Sequence, residues 1–191
     1  MDINKLASVA QAMVADSKGL LAADESTGTI GKRFDTINVV SSADTRRDYR
    51  ELLFKAKDIE KFISGVILYD ETIRQSASDG TSLVDLMLNK NIIPGIKVDA
   101  GAKPLAGSQN ETVTEGLDGL AARVKEYVGL GAQFAKWRAV IKIGEDMPSG
   151  YAIHTNAHAL ARYAKICQEG GLVPIVEPEV LIDGDHDAET C

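Results

Sequence analysis

What this chain of 191 residues lacks removes several classes of protein before any motif is read. Its two cysteines, Cys167 and Cys191, cannot make a disulfide framework, so a reducing compartment is expected, by default the cytoplasm. No apolar run approaches the roughly 20 residues of a membrane-spanning helix, and no membrane partner is expected. The start, Met1-Asp2-Ile3-Asn4-Lys5, is polar and carries an acid, unlike a secretory signal. Cations are outnumbered, 21 Lys and Arg against 28 Asp and Glu. The resulting net charge of -7 argues against nucleic acid, while leaving local basic clusters free to bind small anions. There is no G-x-G-x-x-G turn after a strand, no G-x-x-x-x-G-K-[ST] loop, no internal repeat and no linker.

What is present is one pattern in four places: a short apolar stretch running into polar residues two apart. Gly19-Leu20-Leu21-Ala22-Ala23 meets Asp24 and Ser26, and Gly95-Ile96 meets Lys97-Val98-Asp99. Phe134-Ala135 meets Lys136-Trp137-Arg138, and Pro174-Ile175-Val176 meets Glu177-Pro178-Glu179. In a strand, residues i and i+2 share a face, so each strand delivers two polar groups to one side of its carboxyl end. Side by side, such strands build a site.

Helical spacing falls between the strands. Asn4 to Lys18 carries Leu6, Val9, Ala10, Met13 and Val14; a helix capped by Asp44 or Thr45 runs to about Lys57; Ser82 to Asn89 is a short helix. Thr112 to Gly131 reads as one helix, with Leu117, Leu120, Ala121, Val124 and Val128 as its stripe. Ser149 caps a helix whose expected inner face is Ile153, Ala157, Leu160, Ala161, Ala164 and Cys167, ended by Gly170-Gly171. Strands are expected at Ser64–Tyr69, Ile92–Val98, Phe134–Trp137 and Leu172–Val176 besides the first. Continuous apolar strands with helical crossovers make a parallel sheet covered by helices. Polar groups at the carboxyl ends of several strands match the (β/α)8 barrel rule. Such a barrel needs eight strands in about 250 residues, and five are found, so the chain is expected to be the first part of one longer barrel domain.

On one inward face, Lys136 and Arg138 need anions or carboxylates, and Glu177 on the next strand is the expected neighbour of Lys136. With Lys97 and Asp24 they form a lysine–carboxylate ring suited to proton transfer and anionic substrates; the plain alternative is a structural ion-pair network. The segment Ser26-Thr27-Gly28-Thr29-Ile30-Gly31-Lys32-Arg33 reads as a loop able to wrap phosphate, or simply as a loop. His154 and His158, four apart, and the Asp183–Asp187 cluster are expected to be solvated or turn residues rather than metal ligands.

At Leu20-Leu21-Ala22-Ala23-Asp24-Glu25-Ser26-Thr27-Gly28 the chain resembles class I fructose-bisphosphate aldolases. The likeness continues through Gly95–Asp99, Pro104–Gly107, Gly116–Leu120, Phe134–Arg138, Ile141–Glu145 and Pro174–Glu179. The resemblance implies a cytosolic (β/α)8 barrel, usually a homotetramer. It also implies metal-free and cofactor-free cleavage of fructose 1,6-bisphosphate through a lysine Schiff base. By matching positions, Glu177 is the acid/base of carbinolamine dehydration. Asp24 and Lys136 act around the cleaved C–C bond, and Glu179 supports the lysine network. Ser26, Thr29, Arg33, Lys97 and Arg138 bind substrate hydroxyls and phosphates, with Arg46 a more peripheral match. Thr29 stands where many relatives have serine, which keeps the hydroxyl. The Schiff-base lysine of the family belongs to a sixth strand beyond Cys191, and Lys97, Lys136 and Lys142 already match other positions. The chain alone is therefore expected to be inactive. Two other readings stay open: a zinc-dependent aldolase using His154, His158 or His186, and a non-catalytic half-barrel that binds or assembles.

Overall fold

The computed structural model describes all 191 residues. Helix α1 (Ile3–Met13) opens the chain, capped by the Asp2 carboxylate, which accepts from the Lys5 N–H. Then follow β1 (Gly19–Ala23), α2 (Thr27–Asp35), α3 (Ala43–Phe54), β2 (Ile63–Leu68), α4 (Asp70–Ile73), α5 (Leu83–Leu88) and β3 (Ile93–Lys97). The second half holds β4 (Ala102–Pro104), β5 (Thr112–Thr114), α6 (Leu120–Gly129), β6 (Phe134–Ile141), α7 (Gly150–Gly170) and β7 (Val173–Val180). The five long strands form one parallel sheet in the order β1-β2-β3-β6-β7, so each new strand joins the same edge. This is the curled half-barrel arc expected of part of a (β/α)8 barrel.

The two faces of the sheet differ sharply. Outward residues Val66, Leu68, Ile96, Ala135 and Trp137 join Leu83, Met87, Leu120, Val124, Tyr163 and Cys167 of the helices in the main core. Each fully buried aliphatic side chain there contributes roughly 1.5–3 kcal/mol. The inward face changes character along the strands. Near their amino ends it is apolar: Ile67 and Phe134 pack with Leu20, Ile93, Val173 and Ile175, and Met13 and Val9 of α1 close that end. Gly95 is required here, because a Cβ would lie 2.2 Å from the Phe134 ring. Two residues further along β6 the inward side chain is Lys136. The apolar floor therefore ends where the charged mouth begins.

Several expectations from the sequence need correction. The Ser26–Arg33 segment is not a loop: Ser26 caps α2 by accepting from the Thr29 N–H. Its glycines and hydroxyls hid a helical start. Helix α3 is capped by Ser42 in a reciprocal box with Thr45, and it stops at Phe54 rather than Lys57. The expected helix over 112–131 is two elements, since Thr112–Thr114 pairs antiparallel with Ala102–Pro104 before α6 begins at Leu120. Gly116 separates them at φ +124°, with its backbone so close to Ala100 that a Cβ would lie 2.8 Å from the Ala100 nitrogen. The inner face of α7 is Ala152, Asn156, Ala159, Leu160, Tyr163 and Cys167, while Ile153, Ala157 and Ala161 are exposed. Asn156 and Tyr163 are buried because their polar ends are satisfied. Asn156 donates to the Thr112 and Ala152 carbonyls, and the Tyr163 hydroxyl lies 2.8 Å from the Ala135 carbonyl. Strands β6 and β7 are also longer than expected, reaching Ile141 and Val180.

Strand β7 forms an edge of the sheet. The Val173 and Leu181 N–H groups donate inward to β6, which turns the even-numbered N–H positions of β7 outward. Pro174 and Pro178 occupy two of these and have no hydrogen to donate.

Candidate active site

The charged groups meet at the carboxyl ends of the strands because parallel pairing in register places those ends side by side. Lys97 is the register partner of Lys136 across β3–β6, and Arg138 is the partner of Glu177 across β6–β7. A cleft of about 510 Å³ opens there, walled by Asp24, Ser26, Thr29, Arg33, Lys97, Lys136, Arg138 and Glu179. All of these were expected from the sequence.

At its base, the Lys136 ammonium lies 3.2 Å from Asp24 and 3.3 Å from Glu177. The Lys136 and Asp24 side chains each retain 11% of their exposure. Burial pulls the lysine pKa down, but the two carboxylates outweigh it and hold the group above its ordinary value. The central cation of the site is therefore firmly protonated at neutral pH. Higher up, Arg138 donates twice to Glu179, at 2.5 and 2.6 Å. That fork raises the arginine pKa and lowers that of the carboxylate. Both pairs run diagonally: each β6 cation reaches the carboxylate two positions beyond its register partner on β7. Glu179 was expected to support the lysine network; its direct partner is Arg138, because the same diagonal that brings Glu177 to Lys136 carries Glu179 past it.

Arg33 pairs with Glu25, whose other oxygen accepts from the buried Arg50 at 3.1 Å. Arg50 also donates to the Glu25 carbonyl, pinning the chain where β1 turns into α2. The Ser26 and Thr29 hydroxyls lie 3.0 Å apart at the head of α2. Arg46 stands apart from this set. It makes a fork to Glu71 at 2.7 and 2.6 Å and does not wall the cleft. Its place in α3 faces α4, where Glu71 holds it.

Sequence reasoning left out Glu25, Tyr69 and Asp99, which all wall the cleft. Asp99 carried a readable signal, standing two residues after Lys97 at a strand end. Tyr69 follows β2 as Asp24 follows β1, with Glu71 two residues on, but its aromatic ring reads as the end of the apolar run Ser64–Tyr69. His154 and His158 lie on the exposed side of α7, with rings 6.5 Å apart, and no group of three or more His, Cys, Asp or Glu side chains is arranged to hold a metal ion.

A helix-backed parallel arc with its ionisable side chains gathered at the carboxyl ends of the strands defines part of a barrel-type α/β fold. The family model for class-I fructose-bisphosphate aldolase matches residues 5–191, and the chain belongs to that family. A probable class 1 fructose-bisphosphate aldolase of Xanthomonas campestris is 62% identical over the whole chain, which covers 57% of that protein. A cytosolic fructose-bisphosphate aldolase of Arabidopsis thaliana is 59% identical over 91% of the chain, corresponding to 49% of its own length. The fructose-bisphosphate aldolase of Plasmodium falciparum, solved with TRAP and a small molecule inhibitor, superposes with a TM-score of 0.97 at 52% identity. That match covers 98% of this chain and 55% of the Plasmodium chain. The chain thus spans about half the length of the curated relatives it matches. No helix is long and apolar enough to cross a membrane.

Proposed function

We propose that residues 1–191 supply the amino-terminal part of a single barrel domain that cleaves fructose 1,6-bisphosphate reversibly to dihydroxyacetone phosphate and glyceraldehyde 3-phosphate through a lysine Schiff base. The observation that carries this reading is the Asp24–Lys136–Glu177 arrangement, with its ammonium 3.2 and 3.3 Å from the two carboxylates. An amine held protonated at neutral pH between two acids suits a reaction that moves protons on and off neighbouring oxygens.

Each group has a role in this scheme. A lysine from outside these residues adds to the substrate carbonyl, and Glu177 delivers the proton with which the carbinolamine hydroxyl leaves as water. As the C–C bond breaks, its electron pair passes into the enamine, and Asp24 takes the proton of the adjoining hydroxyl. The Lys136 ammonium steadies the oxygen on which negative charge develops. Ser26, Thr29, Arg33, Lys97 and Arg138 meet the hydroxyls and phosphates, while Glu179 aims the Arg138 fork. Charge balance supports the need for further residues. Arg33, Lys97, Lys136 and Arg138 face five carboxylates, Asp24, Glu25, Asp99, Glu177 and Glu179. A doubly phosphorylated sugar requires additional positive charge from elsewhere in the barrel. A cytoplasmic homotetramer is the assembly proposed, on the family likeness.

The test is a chimera in which this chain is joined to the remaining length of the Xanthomonas relative. It is expected to cleave fructose 1,6-bisphosphate, to lose activity to borohydride only when substrate is present, and to ignore chelators. Inactivation by a chelator with indifference to borohydride would overturn the Schiff-base reading.

A further inference from the structure

Asp99 is the one carboxylate of the cleft whose side chain is almost wholly buried, at 2% exposure, and the aldolase scheme gives it no role. Its Oδ1 accepts from the Lys97 ammonium at 2.5 Å and from the Gly101 N–H at 3.0 Å. Its Oδ2 faces the backbone N–H of Arg138 on the neighbouring strand at 3.4 Å. The surrounding backbone is held as well: Ala100 donates to the Glu115 carbonyl at 2.8 Å, and Glu115 donates back to Gly101 at 3.2 Å. Asp99 therefore sits at a fixed point, tied to the β4–β5 region on one side and to β6 on the other.

Such a carboxylate differs from Glu25 and Glu179. Those pair with arginines that are 60% and 38% exposed, where an incoming anion can compete for the guanidinium. The Lys97 side chain keeps 19% exposure, and its partner cannot follow it into solvent. A lysine side chain carries considerable rotamer entropy, and a free one would not hold its charge at one place. We propose that Asp99 is a positioning residue, which fixes the Lys97 ammonium at the wall of the cleft as a preset donor for a phosphorylated or hydroxylated substrate. The inference rests on the sugar-phosphate reading for the identity of the ligand, but the placement of the amine does not depend on it.

The test accordingly has two arms. In the 191-residue chain without ligand, acylation of each lysine by acetic anhydride is followed by peptide mass spectrometry. Asp99→Asn is expected to raise labelling of Lys97 at least threefold while Lys136 changes by less than a factor of two. No rise at Lys97, or an equal rise at both lysines, overturns the proposal, the latter because it signals general loosening. Asp99→Glu, which keeps the charge, is expected to restore most of the protection.

The second arm measures the dissociation constant of fructose 1,6-bisphosphate for the chimera. Asp99→Asn is expected to weaken binding about tenfold, and to have no further effect in a Lys97→Ala background. Tighter binding on removal of the acid, or equal weakening with and without Lys97, contradicts a role exerted through the lysine. A chimera that binds no sugar phosphate would refute the reading of the ligand, and the labelling arm would still decide the placement of Lys97.

Discussion

The base and the rim of the cleft use the same chemistry, cation against carboxylate, with different consequences. At the base, Lys136 is shielded and shared between acids from two other strands, β1 and β7, so it can neither leave nor easily lose its proton. At the rim, Arg33 and Arg138 have one carboxylate each and substantial exposure. Exposed pairs of that kind contribute roughly 0–1 kcal/mol, so an anionic ligand can displace the carboxylate at little cost. The base is built to hold a protonation state and the rim to exchange partners. That division suits chemistry at the base and capture at the rim.

The comparison can be broken by substitution. Lys136→Met is expected to have the largest effect on folding, because it leaves Asp24 and Glu177 facing each other without a cation. Removing one partner of a buried ion pair costs about 3 kcal/mol, to be read from the denaturation midpoint at neutral pH. The stabilisation that Lys136 provides has a defined pH window. Since its folded pKa lies above the unfolded one, the contribution is complete below the ordinary lysine value and is lost as pH rises through the raised value. In the chimera, Glu177→Gln is expected to lower the turnover number roughly 100-fold, the scale of a lost general acid–base group, with substrate affinity maintained. Normal turnover would remove Glu177 from the acid/base role. Arg33→Ala should be mildest for the fold, changing stability by less than about 0.5 kcal/mol. Its effect should fall on KM, which is expected to rise about tenfold on loss of one charge-assisted hydrogen bond. An unchanged KM would take Arg33 out of the phosphate site.

The strands and the direction of their side chains were legible because period two leaves little freedom: once Trp137 faces the helices, Lys136 and Arg138 must face inward. Buried apolar runs also fixed the parallel, helix-covered sheet. What escaped was set by hydrogen bonds rather than by hydrophobic pattern. Tyr163 and Asn156 look like surface residues of α7 until their carbonyl partners on other segments are known. The start of α2 was hidden by a composition that suits loops and helix caps equally. Glu25 escaped notice because its inward role depends on Arg50, which arrives from α3. The pairing of Glu179 with Arg138 depends on the diagonal offset between β6 and β7, and strand alternation contains no information about that offset. The partner of Arg46 was equally illegible: Glu71, on α4, is within reach and takes both ends of its fork.

The most direct test of the account is a pH titration of the Lys136 side chain by heteronuclear NMR in the 191-residue chain, repeated after Asp24→Asn. A midpoint above that of an ordinary lysine, moving downward in the variant, is the predicted result. A wild-type midpoint at or below the ordinary value, unmoved by the substitution, would mean that burial rather than converging carboxylates governs this amine, and the proposed base of the active site would be wrong.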